Sequence, residues 1–293
     1  MSDLVPYEIF NNYKKGVLDK ETTVKYLKSY AEDGKSENLR VEAVDLLGKI
    51  CLESDTSFKF LENLLISDSN GDVRSLVAKI IIFNCLKKGI EAIRWTFLNE
   101  KKVDFLIMIY KALDKLNTEE SILLKAEMEA ELASKYTKKY DLIPKEAIGL
   151  KFAELSIGTE IVDNYNCNEK LHGYAVFEAK NRHVVSLEIV QHNIESTRFL
   201  NLLSNLQCLK LSISNLKHIE NLSNLTSLRY LDLTANFLTE IPGLYKLRNL
   251  EVLKIAWNNI SKMNDFEKLK NLIKIDLSHN LIENKILRNS NYF

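Results

Sequence analysis

From Val184 onward the apolar positions of the chain recur every 22 residues. Leu206, Leu228, Leu250 and Leu272 stand in register with Val184. Three residues after each comes Leu187, Leu209, Leu231, Leu253 or Ile275, and two later Ile189, Leu211, Leu233, Ile255 or Leu277. Ile194, Leu216, Leu238, Ile260 and Ile282 close the set. A spacing of two between inward apolar residues predicts a short strand whose intervening side chains face out. The second half of each period runs Ile219, Leu222, Leu225, then Ile241, Leu244, Leu247, then Met263, Phe266, Leu269. That spacing of three suits a 3₁₀ or short helical segment.

Between the two halves, Asn236, Asn258 and Asn280 share one position, and His192 and Ser214 hold it in the first two periods. A buried amide survives only when its hydrogen bonds are made. The asparagines are therefore expected to satisfy turn backbone groups of their own and neighbouring coils. His192 is expected to stand in for them as a hydrogen bonder, not to act as a metal ligand.

Before residue 140 the pattern is helical almost throughout, with few breakers. Asp19-Lys20-Glu21-Thr22 and Ser36-Glu37-Asn38 read as helix starts. SENLRVEAVDLLGKI, NGDVRSLVAKIIIFN and KKVDFLIMIYKALD align on Arg40, Arg74 and Asp104, at spacings of 34 and 30. FKFLENLLISDSN and GIEAIRWTFLNE read as their partner helices. Pro144 stops the preceding helix, residues 145–157 look helical again, and GYAVFEAKNRHVVSLEI reads as a hairpin. Three regions are expected: a helical domain over 1–140, a linker and cap over 141–183, and a repeat domain over 184–293.

The LxxLxLxxNxL pattern resembles the leucine-rich repeat, and its length resembles the 22-residue class of phosphatase regulatory subunits. The stretch IPKEAIGLKFAELSIGTEI with its hairpin is similar to the N-terminal cap of prokaryotic, particularly archaeal, leucine-rich-repeat proteins. In the helical half, a turn carrying Asp68, Asn70, Val73 and Arg74 resembles a HEAT repeat. That resemblance implies a buried Asp–Arg ladder between successive turns, with Arg40 and Arg74 as its structural members. The fold class implied is an α+β two-domain solenoid. N-terminal all-α HEAT-like repeats would precede a short right-handed α/β leucine-rich-repeat solenoid with parallel strands on its concave face.

Composition narrows the function. Forty Lys and Arg balance forty Asp and Glu, so the net charge is zero. Neutralising a phosphate backbone needs a basic excess, so no nucleic-acid partner is expected. Cys51, Cys85, Cys167 and Cys208 show no CxxC pairing, and His172, His183, His192, His218 and His279 fall at unrelated positions of the repeat. No catalytic, cofactor or metal motif is recognisable, so neither enzyme activity nor a cofactor is expected. No run reaches the roughly 18 apolar residues of a membrane span. The charged N-terminus lacks the apolar core of a signal peptide, and a cytoplasmic location is expected.

Reading the outward strand positions across periods gives columns of a grid. One runs Glu188, Lys210, Asp232, Lys254, Asp276, and two positions earlier runs Ser186, Cys208, Tyr230, Val252, Lys274. The residue before the Asn position runs Gln191, Ile213, Ala235, Trp257, His279. The charge column either pairs laterally or presents a patterned docking surface. Trp, Tyr and Arg dominate interface energies. Tyr230, Asp232, Lys254, Trp257 and Asp276 are thus the candidate residues for a protein partner of unknown identity. A regulatory subunit of a phosphatase, kinase or small GTPase is the narrower form of this expectation. Two other classes stay open: an enzyme with a site between the domains, and a nucleic-acid binder using Lys138 and Lys139 with Tyr136 and Tyr140.

Overall fold

The structure, a computed structural model, describes residues 5–34, 36–50, 55–163, 173–262 and 268–282. Cys51, Cys167, His172, Met263, Phe266 and the C-terminal stretch after Ile282 lie outside them. The chain divides into two compact units, 1–128 and 129–293.

The first unit is helical: α1 Pro6–Lys14, α2 Lys20–Asp33, α3 Glu37–Ile50, α4 Asp55–Ser67, α5 Gly71–Asn99, α6 Val103–Leu116 and the first part of α7 Glu119–Tyr140. Side chains set the helix starts. Asp19 accepts the Thr22 N–H at 2.7 Å, and Asn70 accepts those of Asp72 and Val73 at 2.8 and 3.1 Å, so both cap orphan amides. The helices pack in succession, α2 on α3, α4 on α5 and α5 on α6. Leu47, Leu61, Leu65, Ile81 and Phe97 are buried in their core.

The two helices expected over 71–99 meet at a kink at Cys85, whose φ of −152° and ψ of 36° leave the helical region. The Asn84 side-chain amide donates to the Ile80 carbonyl at 3.0 Å, competing with the backbone for that acceptor. Gly89 follows because a Cβ there would sit 2.2 Å from the Ile81 side chain.

The Arg ladder implied by the HEAT resemblance is present. Arg40 pairs with Asp68 across the turn and donates to the Ala31 carbonyl at 2.9 Å. Arg74 donates to the Asp68 carbonyl and to Glu100, both at 2.8 Å. The third aligned position holds Asp104 where an Arg would stand. The acid that meets Arg74 is Glu100, placed where α5 ends, and its side chain also accepts the N–H groups of Lys101 and Lys102.

The second unit begins in α7 and holds α8 Pro144–Ile157 and, among the described residues, seven strands in sequence order: β1 Val162–Asp163, β2 Tyr174–Lys180, β3 His183–Val190, β4 Cys208–Ser212, β5 Tyr230–Asp232, β6 Val252–Lys254 and β7 Lys274–Asp276. The β2–β3 hairpin is antiparallel and the other pairings are parallel. Its turn is Asn181-Arg182, with φ of 52° and 67°, the doubly left-handed turn that fits strand twist.

From β3 to β7 the register follows the 22-residue period: Leu187 pairs with Leu209, Leu209 with Leu231, Leu231 with Leu253, and Leu253 with Ile275. Leu209, Leu231 and Leu253 are fully buried, each contributing about 1.5–3 kcal/mol of apolar burial. The 3₁₀ segments fall at Arg198–Leu202, Leu222–Asn224 and Leu244–Lys246, returning the chain to the next strand.

Candidate protein-binding face

The coils are held from inside by asparagine. The Asn236 amide donates to the carbonyls of Leu211 (2.7 Å) and Leu233 (2.9 Å), while its oxygen accepts the N–H groups of Ser214 (3.0 Å) and Leu216 (3.1 Å). Asn258 donates to Leu233 and Ile255 and accepts from Leu238; Asn280 donates to Ile255 and Leu277 and accepts from Ile260. Each amide thus ties its own coil to the one before. Ser214 takes a shortened version of the role, its hydroxyl donating to the Ser212 carbonyl at 3.0 Å. His192 does not. Its Nε2 is buried without a hydrogen-bond partner, because a ring cannot reach the carbonyls an amide spans, and burial lowers its pKa.

The residue before each ladder position is left-handed whether or not an asparagine follows it. Gln191, Ile213, Ala235, Trp257 and His279 have φ between 56° and 62°. A left-handed residue costs a non-glycine side chain about 1–2 kcal/mol, and here the strain is held by the bonds on either side. Trp257 N–H donates to Ser278 and its carbonyl accepts from Asn236, at 3.0 and 3.1 Å. The turn swings this side chain off the coil. Trp257 is 59% exposed and stacks face to face on His279, with ring centroids 3.7 Å apart and planes 17° apart.

The other predicted residues share the same face. Lys254 Nζ lies 5.4 Å from the centre of the Tyr230 ring. A hydrogen bond with the Tyr230 hydroxyl, against a smaller opposing effect of burial, raises the Lys254 pKa. The Tyr230 hydroxyl also donates to Asp232 at 3.3 Å. Asp232 is buried, and its second oxygen accepts the Thr234 N–H at 3.0 Å. Asp276 stands on the last strand, its pKa lowered by the Ser278 hydroxyl (2.7 Å) and N–H (3.1 Å). The structure therefore brings Tyr230, Asp232 and Lys254 together over β5 and β6, with Trp257 on the turn after β6, stacked on His279, and Asp276 on the neighbouring strand.

Tyr174 is the member that periodicity could not supply, since it lies on β2 before the repeats. Its hydroxyl accepts from Lys210 and donates to Glu188, both at 2.9 Å, linking the first two members of the charge column. The signal for it is the Asn181-Arg182 turn, which folds β2 back beside β3.

Two buried carboxylates serve the cap. Glu146, on the first turn of α8, accepts the Val184 N–H (2.5 Å), the Asn205 amide (2.6 Å) and His183 Nδ1 (3.0 Å), so it fastens α8 to the first coil. Glu154 accepts from Tyr136 (2.6 Å), the Ile161 N–H (3.0 Å), Lys151 (3.1 Å) and Lys135 (3.2 Å). Burial pushes its pKa up, but these donors outweigh that and hold it below the usual range. Tyr136 is thereby fully buried, and Tyr140 packs edge-on against Phe177 at 4.9 Å, so the pair offers no free stacking platform for bases. Among the described residues no group of three or more His, Cys, Asp and Glu is placed to hold a metal ion, and no helix is long and apolar enough to cross a membrane.

Strand register, asparagine ladder and 22-residue period together define the coils as leucine-rich repeats. No family profile and no curated protein matches the sequence. Among solved structures, the chain is similar to an internalin, inlF, of Listeria monocytogenes: 26% identical over 37% of this chain and 34% of that one, with a TM-score of 0.34. Internalin C2 of the same organism is 35% identical over 29% of this chain and 38% of that one, TM-score 0.28. The leucine-rich-repeat ectodomain of the receptor kinase SOBIR1 from Arabidopsis thaliana is 22% identical over 48% of this chain and 83% of that one, TM-score 0.34. The chain spans about a third of the length of the two internalin chains.

Proposed function

We propose that the protein is a non-catalytic interaction module whose leucine-rich strand face, around Tyr230, Asp232, Lys254, Trp257 and Asp276, holds a protein partner. One observation carries this reading: Trp257 stands more than half exposed on the turn that follows Lys254, on backbone held by Ser278 and Asn236. A large aromatic that the core does not use contributes apolar area to an interface at little ordering cost. A cytoplasmic setting belongs to the same proposal, supported by Cys85 and Cys208, which are unpaired thiols.

The test compares capture from native lysate by the wild type and by the Trp257→Ala, Lys254→Glu double variant, read by mass spectrometry. A partner held by the first and lost by a still-folded second is the expected result. Truncating Trp257 alone is expected to weaken that complex by about 2 kcal/mol. Equal capture by both proteins refutes the assignment.

A further inference from the structure

The strand face carries a pattern with a symmetry of its own. Its charges alternate from coil to coil: Glu188, Lys210, Asp232, Lys254, Asp276, on neighbouring and register-matched strands. An alternating column is complementary to itself when reversed, provided the reversal centre falls between two coils. A second copy turned over about a two-fold axis parallel to the strands, between β5 and β6, meets that condition. Lys210 then faces Asp276 of the second copy, and Lys254 lies over the position of Asp232, which is itself buried and held by Tyr230 and Thr234; each contact occurs twice because such an interface is isologous. Centring the axis on a strand instead sets like charges against like.

The flanking columns select the same axis. Reversal between β5 and β6 sets Trp257, 59% exposed, against the smallest side chain of its column, Ala235. It sets Tyr230 against Val252, and Ile213, 52% exposed, against His279. Large meets small at Trp257 and Ala235 and apolar meets apolar at Tyr230 and Val252, while Cys208 falls opposite Lys274. The axis one coil earlier also alternates charge, but it sets Trp257 against Gln191 and not against a small side chain. Three large side chains, Tyr230, Lys254 and Trp257, stand on the two coils flanking the axis.

We infer that this face pairs with a second copy of the chain, strand face to strand face, about an axis between β5 and β6. The inference rests on the proposal that this face binds protein, and names the partner as the chain itself. Opposite charges brought together across an interface fix its register, and like charges oppose association.

The experiment is sedimentation velocity of the full chain from low to high micromolar concentration, with circular dichroism to verify folding. The wild type is expected to show a monomer–dimer equilibrium. Lys210→Glu and Asp276→Lys, each alone, place like charges together twice and are expected to raise the dissociation constant at least tenfold. Mixed together, the two variants present opposite charges at both contacts, and dimers are expected to return. Ala235→Trp sets tryptophan against tryptophan and is expected to abolish pairing. Its backbone tolerates the change, since Trp257 adopts the same φ of 57°. A wild type that stays monomeric at every concentration overturns the inference, as does a dimer indifferent to all three variants or a mixture that stays monomeric. If the monomeric wild type still captures a different protein through Trp257, the second copy is refuted while the binding face stands.

Discussion

The two units solve one problem in different chemistry. Each repeats a small element that must be tied to the next. The coils use a neutral amide, wholly inside, that spans two turns of chain with four hydrogen bonds, as Asn236 does. The helical unit uses a charged arm at the edge, Arg40 to Asp68 and Arg74 to Glu100, with the guanidinium side chains 17% and 15% exposed. A buried ion pair carries a desolvation penalty that a buried amide of matched geometry largely avoids. The difference follows from spacing. Coils stacked at strand distance leave room for one short amide, whereas turns joining stacked helices are far enough apart to need the reach of arginine.

That contrast can be broken experimentally. Asn258→Leu carries the largest expected effect. It orphans the Leu238 N–H inside the coil and takes one of two amide donors from the Leu233 carbonyl, and a loss of about 3 kcal/mol is expected. Urea denaturation followed by Trp257 fluorescence would show it, and an unchanged midpoint would mean that the amide does not hold the coil. Arg74→Met should cost less, about 2 kcal/mol, by leaving Glu100 short of its countercharge in a partly exposed site. Hydrogen exchange should then rise in α5 and α6 while the Leu238 and Ile260 amides keep their protection. Faster exchange in the coils alone would contradict the assignment of Arg74 to the helical ladder.

Acid sharpens the same distinction. Burial raises the Glu100 pKa, but the N–H groups of Lys102 and Lys101 and the Arg74 side chain outweigh it, so the folded value lies below the ordinary 4.5. The unfolded chain therefore takes up the proton first. Stability from this rung is complete above pH 4.5 and is lost as pH falls through the folded value. Glu154, lowered in the same direction, predicts a parallel loss at the cap. The asparagine rungs do not titrate, so their amides should stay protected over that range until the unit as a whole unfolds. The smallest expected effect is a gain. Ala235→Gly relieves left-handed strain but adds freedom to the unfolded chain, and about 0.5 kcal/mol of net stabilisation is expected in the same urea assay.

Much of the coil unit was legible because its contacts are 22 residues apart and therefore periodic. Strand register, the asparagine bonds and the neighbourhood of Tyr230, Lys254 and Trp257 all follow from one spacing. Even the Trp257–His279 stack lies within a single predicted column. What stayed hidden lacks a period. The Cys85 kink depends on one side-chain amide competing for one carbonyl. Glu146 gathers partners 37, 38 and 59 residues away, a meeting that only the packed cap creates. In the helical unit the second Arg rung was legible but its acid was not. Glu100 sits one residue beyond α5, outside the turn motif that carries Asp68 and Arg74.

The left-handed turn after each strand has a consequence for how such a surface can change over time. Gln, Ile, Ala, Trp and His occupy the same backbone angle on successive coils, so the angle is imposed by neighbouring amides and is indifferent to what the position carries. Fold and display are thereby assigned to adjacent residues of the same turn. Exchanging one occupant for another should alter what the face recognises while leaving the melting temperature nearly where it was, so that drift in partner choice need not pass through unfolded intermediates.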